Sequence, residues 1–500
     1  MIEINGRSLR LEDVEAVARS GVPVGLDREA RGRVERARAL VDRIVAEHRV
    51  VYGITTGFGA LAEVVIPPER IRDLQVNLIR SHAAGVGDPF SVQEARAITL
   101  LRANVLALGH SGVRPVVIER LLDLLNHSIT PVIPSRGSVG ASGDLAPLSH
   151  LALVLMGEGE AWVDGERLGG AEALARHALE PLVLEAKEGL ALNNGTQAHT
   201  AVGILALLAA ERAVDTIDVA GALSLEALRG TPDAFAPQIQ QVRPHPGQAH
   251  SAERLRSLLT DSGIRDSHRE NDPRVQDAYS LRCMPQVHGA ARNGLAYVRS
   301  ILEIEANSAT DNPLIFPDDD LVISGGNFHG QPVAQVLDLV AMICADLASI
   351  SERRIARMID PALSAGLPAF LVRDVGVNSG LMMVQIVAAA LVNEVRLRAA
   401  PASTDSVPTD NNKEDHVSMG VAAALKAREA VHLLETVLAL ELLTAAQGLE
   451  FLKPLRPGKR VEQAYDLVRS VVEPLEQDRV LSGDIAAVER LVREGAFARV

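Results

Sequence analysis

Chemistry in this sequence starts at Ala141-Ser142-Gly143, inside the run Gly137-Ser138-Val139-Gly140-Ala141-Ser142-Gly143-Asp144-Leu145-Ala146-Pro147-Leu148. A serine carries a β-hydroxyl that can be eliminated. A glycine amide nitrogen can attack a carbonyl carbon two residues back where a tight loop forces them together, because glycine has no Cβ and tolerates strained φ/ψ. Closing that five-membered ring with loss of water, then losing the Ser142 hydroxyl as a second water, leaves an exocyclic methylene conjugated to a carbonyl. Such a group is a strong electrophile. The same residues also read as an ordinary small-residue turn that leads through Asp144, a good N-cap, into an apolar helical run from Leu151 to Met156. The local residues permit both readings.

The elements that must position this loop follow from periodicity. Residues 2 to 10 alternate around Asn5-Gly6, a type I′ turn signal that predicts a small hairpin. Helical spacing runs over Leu11 to Ala18, Arg31 to His48, Pro68 to Ile79, and 93 to 126 with a break at Gly109 to Gly112. Tyr52 to Gly59 is a glycine-rich loop, Ala161 to Leu168 a hairpin turning on Asp164-Gly165, and Asn193 to Gln197 a loop whose Asn194 amide can polarise a nearby carbonyl. From about residue 198 the 3.6-residue period persists over 201–228, 286–306, 332–359, 380–399 and 416–453, the pattern of long bundled helices. Pro313 to Ser324 predicts a hairpin leading into Gly325-Gly326-Asn327-Phe328, and the Pro-, Ser-, Thr- and Asn-rich stretch 400–413 is a loop delivering Glu414. The predicted fold is mainly α: a long-helix bundle with a smaller N-terminal α region that has short β-hairpins. Its predicted division is an N-terminal domain 1–197 with the Tyr52 and Ala-Ser-Gly loops, a central bundle 198–453, and a helical C-terminal cap 454–500.

Composition agrees with close-packed helices, since 47% of the 500 residues are hydrophobic but only 3% aromatic, leaving Ala, Leu and Val to fill the core. A formal charge of −14 argues against nucleic acid or an anionic membrane as partner, because both require a basic surface. Two cysteines, Cys283 and Cys344, cannot build a disulfide framework, and the opening Met-Ile-Glu-Ile-Asn-Gly shows no secretory signal, so a cytoplasmic location is expected. Of two apolar stretches, 198–210 is too short to cross a membrane and 417–449 carries charges at amphipathic spacing. No P-loop, dinucleotide fingerprint or His-Glu-x-x-His pattern occurs, so neither a metal nor an external cofactor is expected.

Seven blocks, in order along the chain, carry a resemblance: Tyr52-Gly53-Ile54-Thr55-Thr56-Gly57-Phe58-Gly59, Ser81-His82-Ala83-Ala84-Gly85-Val86-Gly87, Gly140 to Leu148, Asn194-Gly195-Thr196-Gln197, Gln276-Asp277-Ala278-Tyr279-Ser280-Leu281-Arg282-Cys283, Ser324 to Gly330, and Glu414-Asp415-His416-Val417-Ser418-Met419. Together they resemble the aromatic amino-acid ammonia-lyases, and within them the histidine-specific branch. That family converts Ala-Ser-Gly into 4-methylidene-imidazol-5-one, MIO. The resemblance implies a fumarase/aspartase-like helical architecture and MIO made from Ala141, Ser142 and Gly143.

Roles follow from the same resemblance. Tyr52 is the candidate base for the β-proton; tyrosine titrates near pH ~10, so it serves only where cationic or donor groups favour phenolate. Arg282 matches a substrate carboxylate bidentately, or else makes a structural salt bridge. Asn194 and Gln276 donate hydrogen bonds around the ring and substrate, Tyr279 sits against the ring, and Phe328 shields it from water and thiols. His82 and Glu414 suit the polar ring of histidine, and would be costly beside an apolar phenyl ring unless paired with each other. L-histidine giving trans-urocanate and ammonia is therefore expected. The alternatives are a lyase for another aromatic or heteroaromatic amino acid, a 2,3-aminomutase, and an inactive helical oligomer whose tripeptide never cyclises.

The chain departs from the family pattern at Asn193 and at Lys413. A Lys413 side chain turned into the pocket could neutralise Glu414 or bind an acidic substrate group, and one turned outward would change nothing. A homotetramer of 222 symmetry is expected, with sites built from three subunits and Tyr279 and Arg282 arriving from neighbours. The physical motive is that long helices such as 417–453 carry apolar faces one subunit can hardly cover.

Overall fold

The computed structural model describes residues 1 to 500, which form two compact units. The first joins 1–206, 299–338 and 401–425; the second joins 207–298, 339–400 and 426–500. The units thus do not follow the chain-order division at 197 and 453. Four long helices, Gln197–Ala227, Met284–Glu305, Gln331–Ile359 and Gly420–Glu450, begin in one unit and end in the other. At 1.5 Å rise per residue, about thirty helical residues exceed the width of one small domain, so chain order cannot set the boundary.

In the first unit, Val92–Ala107 is buried along nearly all its length and is started by a Ser91/Glu94 capping box. Leu11–Ser20, Arg28–Ala46 and Pro115–Asn126 pack around it. The predicted hairpin on Asp164-Gly165 forms: Glu160–Val163 pairs antiparallel with Glu166–Gly169, and both turn residues take positive φ, 50° and 82°. Leu314–Phe316 and Leu321–Ile323 likewise pair antiparallel. The hairpin expected at Asn5-Gly6 does not form. Ile2–Ile4 instead pairs in parallel with Val24–Leu26. Asn5 Oδ1 accepts from the amides of Arg7 and Ser8, and Gly6 N–H donates to buried Asn104, so the chain turns away from its own strand.

The second unit is held by one apolar core that includes Leu223, Phe235, Met284, Ile355 and Leu443. Val461, Val468, Val488 and Phe497 are buried in that same core, so residues 454–500 complete it rather than cap it. Gln331–Ile359 is long and apolar enough to cross a membrane by composition alone, with mean hydropathy 1.8, but 56% of that window is buried inside the protein, as in a core helix.

Candidate active site

Residues of the first unit line a cavity of about 1020 Å³. Tyr52, His82, Ala141, Ser142, Asn194, Phe328 and Glu414, distant in sequence, meet there. Leu61, Val64, Ile66, Leu74 and Leu78 supply apolar wall, while Asp410, Lys413, Asp415 and His416 supply charge and polarity.

The Ala-Ser-Gly loop is pressed backbone to backbone against the Asn193–Gln197 loop. Gly143 has φ +74° and bridges in parallel to Gly195, and a β-carbon at Gly143 would overlap the Gly195 backbone. Only glycine fits there. Asp144 N–H donates to the Gly195 carbonyl at 2.7 Å, and the Asn194 side-chain amide donates to the Ser142 carbonyl at 2.7 Å. The Asn194 backbone carbonyl in turn accepts from Arg102 Nη1 at 2.8 Å, and that nitrogen also reaches Gln197 Oε1 at 2.6 Å. Complete burial pushes Arg102 down to about 10. This geometry suits ring closure at the tripeptide: a left-handed glycine amide, a buried Ala141, and a donor already on the carbonyl that stays outside the cyclising bond.

Asp144 occupies the expected N-cap position of Leu145–Leu155, yet its side chain makes no bond to that helix. Its carboxylate accepts instead from the amides of Ala198 and His199, from His199 Nδ1 at 2.9 Å, and from Ser138 Oγ at 2.9 Å. It therefore caps Gln197–Ala227, where a negative charge meets the positive end of the helix dipole. Burial opposes a charge on His199, but Asp144 outweighs it and raises the imidazole above its usual value. Spacing along the chain carries no signal for this pair: His199 sits in an apolar helical pattern, 55 residues from its partner.

On the other side of the tripeptide, Ser142 Oγ donates to Glu414 Oε1, and Thr409 Oγ1 donates to Glu414 Oε2 at 2.6 Å. Those two hydroxyls, and not Lys413, engage the carboxylate; Lys413 is exposed and lines the cavity next to it. Asn193 is buried, donates to Ser149 Oγ at 3.2 Å and is not part of the cavity wall, so that departure alters packing behind the site. His82 ends the helix Ile71–His82 and places Nδ1 2.9 Å from the Leu78 carbonyl. A proton on Nδ1 would serve that carbonyl, which only accepts, and Ser81 Oγ also lies 3.0 Å from Nδ1.

Tyr52 departs from its expected surroundings. Gly59 N–H donates to its hydroxyl at 3.2 Å, which favours phenolate, but burial raises the phenol and the Asp410 and Glu414 carboxylates raise it further. The cationic groups a phenolate requires do not come from these neighbours. Gln276, Tyr279 and Arg282 belong to the second unit and do not line this cavity. Gln276 is exposed, Tyr279 is 71% exposed, and the Arg282 guanidinium lies 4.5 Å over the Tyr279 ring. Arg282 makes this cation–π contact in place of a salt bridge, and its Nε is buried without a hydrogen-bond partner. No group of three or more His, Cys, Asp or Glu side chains is placed to hold a metal ion.

A mainly helical chain that presses Ala-Ser-Gly against an Asn-Gly loop, with tyrosine and carboxylate in one cavity, defines a class. This chain matches the aromatic amino acid lyase family over residues 9–470, and it belongs to that family. Histidine ammonia-lyase of Stigmatella aurantiaca is 55% identical to it over 494 residues, which cover 99% of this chain and 96% of that protein. Among solved structures, histidine ammonia-lyase from Trypanosoma cruzi superposes with a TM-score of 0.93 at 44% identity, covering 100% of this chain and 94% of that one. Tyrosine aminomutase from Streptomyces globisporus does so with a TM-score of 0.95 at 39% identity, covering 100% and 98%.

Proposed function

We propose that this protein is a carbon–nitrogen lyase that converts L-histidine to trans-urocanate and ammonia. The observation that carries the reading is that His82 and Glu414 line the same cavity as Ser142 and Tyr52, giving a polar, hydrogen-bonding end for an imidazole ring. Removing ammonia across Cα and Cβ requires a better leaving group and a positioned base. MIO formed from Ala141, Ser142 and Gly143 supplies an electrophile for the substrate amine. Asn194 holds a donor on the Ser142 carbonyl, where electron density accumulates. Tyr52 accepts the β-proton, the C–N bond breaks, and the electron pair of the C–H bond becomes the new C=C bond. Glu414 binds an imidazole N–H of the substrate, and His82 Nε2 accepts a hydrogen bond. Phe328 keeps water from the reacting end.

Gln276 and Arg282 then receive the substrate carboxylate, and Tyr279 stands beside the reacting group, from neighbouring subunits of a homotetramer in the cytoplasm. The exposed position of Tyr279 and the unpartnered Arg282 Nε support this arrangement.

Incubation with L-histidine, L-phenylalanine and L-tyrosine, followed by near-ultraviolet absorbance and ammonia release, tests the scheme. Histidine is expected to give a conjugated acrylate and one ammonia per product. Ser142→Ala is expected to abolish turnover and to leave the chain at its own full sequence mass, without the two-water loss of the parent, and Glu414→Ala to lower kcat/KM about a hundredfold. A β-amino acid formed without ammonia would establish an aminomutase instead, and turnover undiminished in Ser142→Ala would refute the electrophile.

A further inference from the structure

Tyr52 is reached by its own loop through one backbone amide, and the next amide leaves the loop altogether. Gly59 N–H donates to the Tyr52 hydroxyl at 3.2 Å, and Ala60 N–H donates to Asp410 Oδ2 at 3.0 Å. The approach is close: Gly59 has φ +54°, and a β-carbon there would overlap the Asp410 carboxylate. Asp410 opens a run of three consecutive left-handed residues with none of them glycine, Asp410, Asn411 and Asn412 at φ 48°, 52° and 64°. L side chains adopt that backbone only when the surroundings over-determine it. Here the turn is closed by paired backbone bonds between Thr409 and Glu414, 2.9 and 3.3 Å, and by Thr409 Oγ1 on Glu414 Oε2. Glu414 in turn receives Ser142 Oγ. One short turn therefore grips the Tyr52 loop at its start and the Ser142 loop at its end.

We propose that Asp410 is a positioning residue that latches the Tyr52 loop to the 409–414 turn, so that the phenol is held at a fixed place in the cavity wall facing the Ser142 loop. The inference rests on the reading of Tyr52 as proton acceptor. Asp410 acts through the Gly59–Ala60 amides. It also lines the cavity, and its charge raises the Tyr52 phenol, so the Asn variant separates the hydrogen bond from the charge. A carboxylate suits the task because a charged acceptor binds an amide more strongly than a neutral one, and Ala60 is the second residue of the short 3-10 turn Gly59–Leu61, whose first amides lack helical partners. Because Asp410 is exposed, water competes for the bond and its contribution is modest.

The test uses the full chain carrying Asp410→Ala, Asp410→Asn or Ala60→Pro, the last removing the donor from the opposite partner. Amide hydrogen exchange at residues 57–62, kcat and KM for L-histidine, and intact mass are measured. Asp410→Ala is expected to speed exchange at Ala60, to lower kcat about fivefold with KM within about twofold, and to leave the two-water mass loss intact. Asp410→Asn keeps an acceptor oxygen and should restore both exchange and kcat to within about twofold of the parent. Ala60→Pro should reproduce the fall in kcat, and combining it with Asp410→Ala should add nothing further. Exchange at the parental rate in Asp410→Ala, unchanged kcat, equal losses in the Ala and Asn variants, or additive losses in the double variant would each overturn the latch. Exchange is read without turnover, so a parent protein inactive on histidine would count against the substrate reading and leave the latch to be judged by its own measurement.

Discussion

Asn194 concentrates the residue-scale argument, since its side-chain amide meets the Ser142 carbonyl at 2.7 Å while Arg102 fixes its backbone from the buried side. Removing a donor aimed at developing charge costs about 10²–10³ in kcat. Asn194→Ala is therefore expected to lose roughly that much, measured as kcat on histidine, with the deficit persisting in the fraction of chains that mass shows to be fully cyclised. Tyr52 gives a second expectation. Burial, then Asp410 and Glu414, hold its phenol above the usual value, so near neutrality the proton-accepting form is scarce and grows with pH. Log kcat/KM on the alkaline side of the substrate's own titrations should rise with a slope of about one. His82 and Lys413 also line the cavity. A flat profile from neutral to alkaline pH would remove Tyr52 from the role of base. At this scale the cavity residues were legible because each stands inside a motif whose types do the chemistry. Asp144, His199, Arg102 and Asp410 were not, because their partners are far along the chain and no spacing announces them.

Elements were legible where local chemistry and tertiary packing agree. Asp164-Gly165 demands a type I′ turn and nothing nearby competes, so the hairpin forms as read. Asn5-Gly6 sends the same local signal, yet Asn104 claims the Gly6 amide and Val24–Leu26 offers the strand a parallel partner. The long helices kept their predicted spans within a few residues, because an apolar period sustained over about five to eight turns leaves few alternatives. What periodicity could not show is which polar groups inside those helices pair. Glu441, in Gly420–Glu450, accepts from Arg354 Nε at 2.5 Å and Nη2 at 2.8 Å, from Ser224 Oγ at 2.7 Å and from Ser351 Oγ at 2.5 Å, all at 0% exposure for Glu441. Breaking one side of a buried pair leaves the other charge uncompensated, at about 3–5 kcal/mol. Glu441→Gln is expected to shift the urea unfolding midpoint down by that much free energy at constant m value, whereas exposed Glu166→Gln, which loses only a surface pair with Arg176, should move it by less than about 1 kcal/mol.

For the whole molecule the question is which surface a second copy would cover. The motive first read from the sequence lay in helix 417–453, but Gly420–Glu450 is already buried along its later turns, from Val437 to Leu449, within a single chain. The uncovered apolar face belongs to Met382–Arg398, which buries only Val384, Ala388 and Val395 and leaves Met383, Ile386, Val387 and Leu397 exposed. Tyr279 stands open in the same way, with Arg282 against its ring. If copies of the chain complete one another's sites, Ser142→Ala and Arg282→Met each disable a site through a different subunit. Each variant alone should then be inactive, yet their co-expression in equal amounts should restore turnover, because by random assortment about a quarter of sites would take an intact Ser142 loop from one subunit and an intact Arg282 from another. A site built wholly within one chain predicts no recovery, since every chain in the mixture carries one of the two lesions. Comparing the mixed protein with the two separately expressed variants, at matched concentration and with assembly checked by native mass, separates these outcomes by the presence or absence of urocanate.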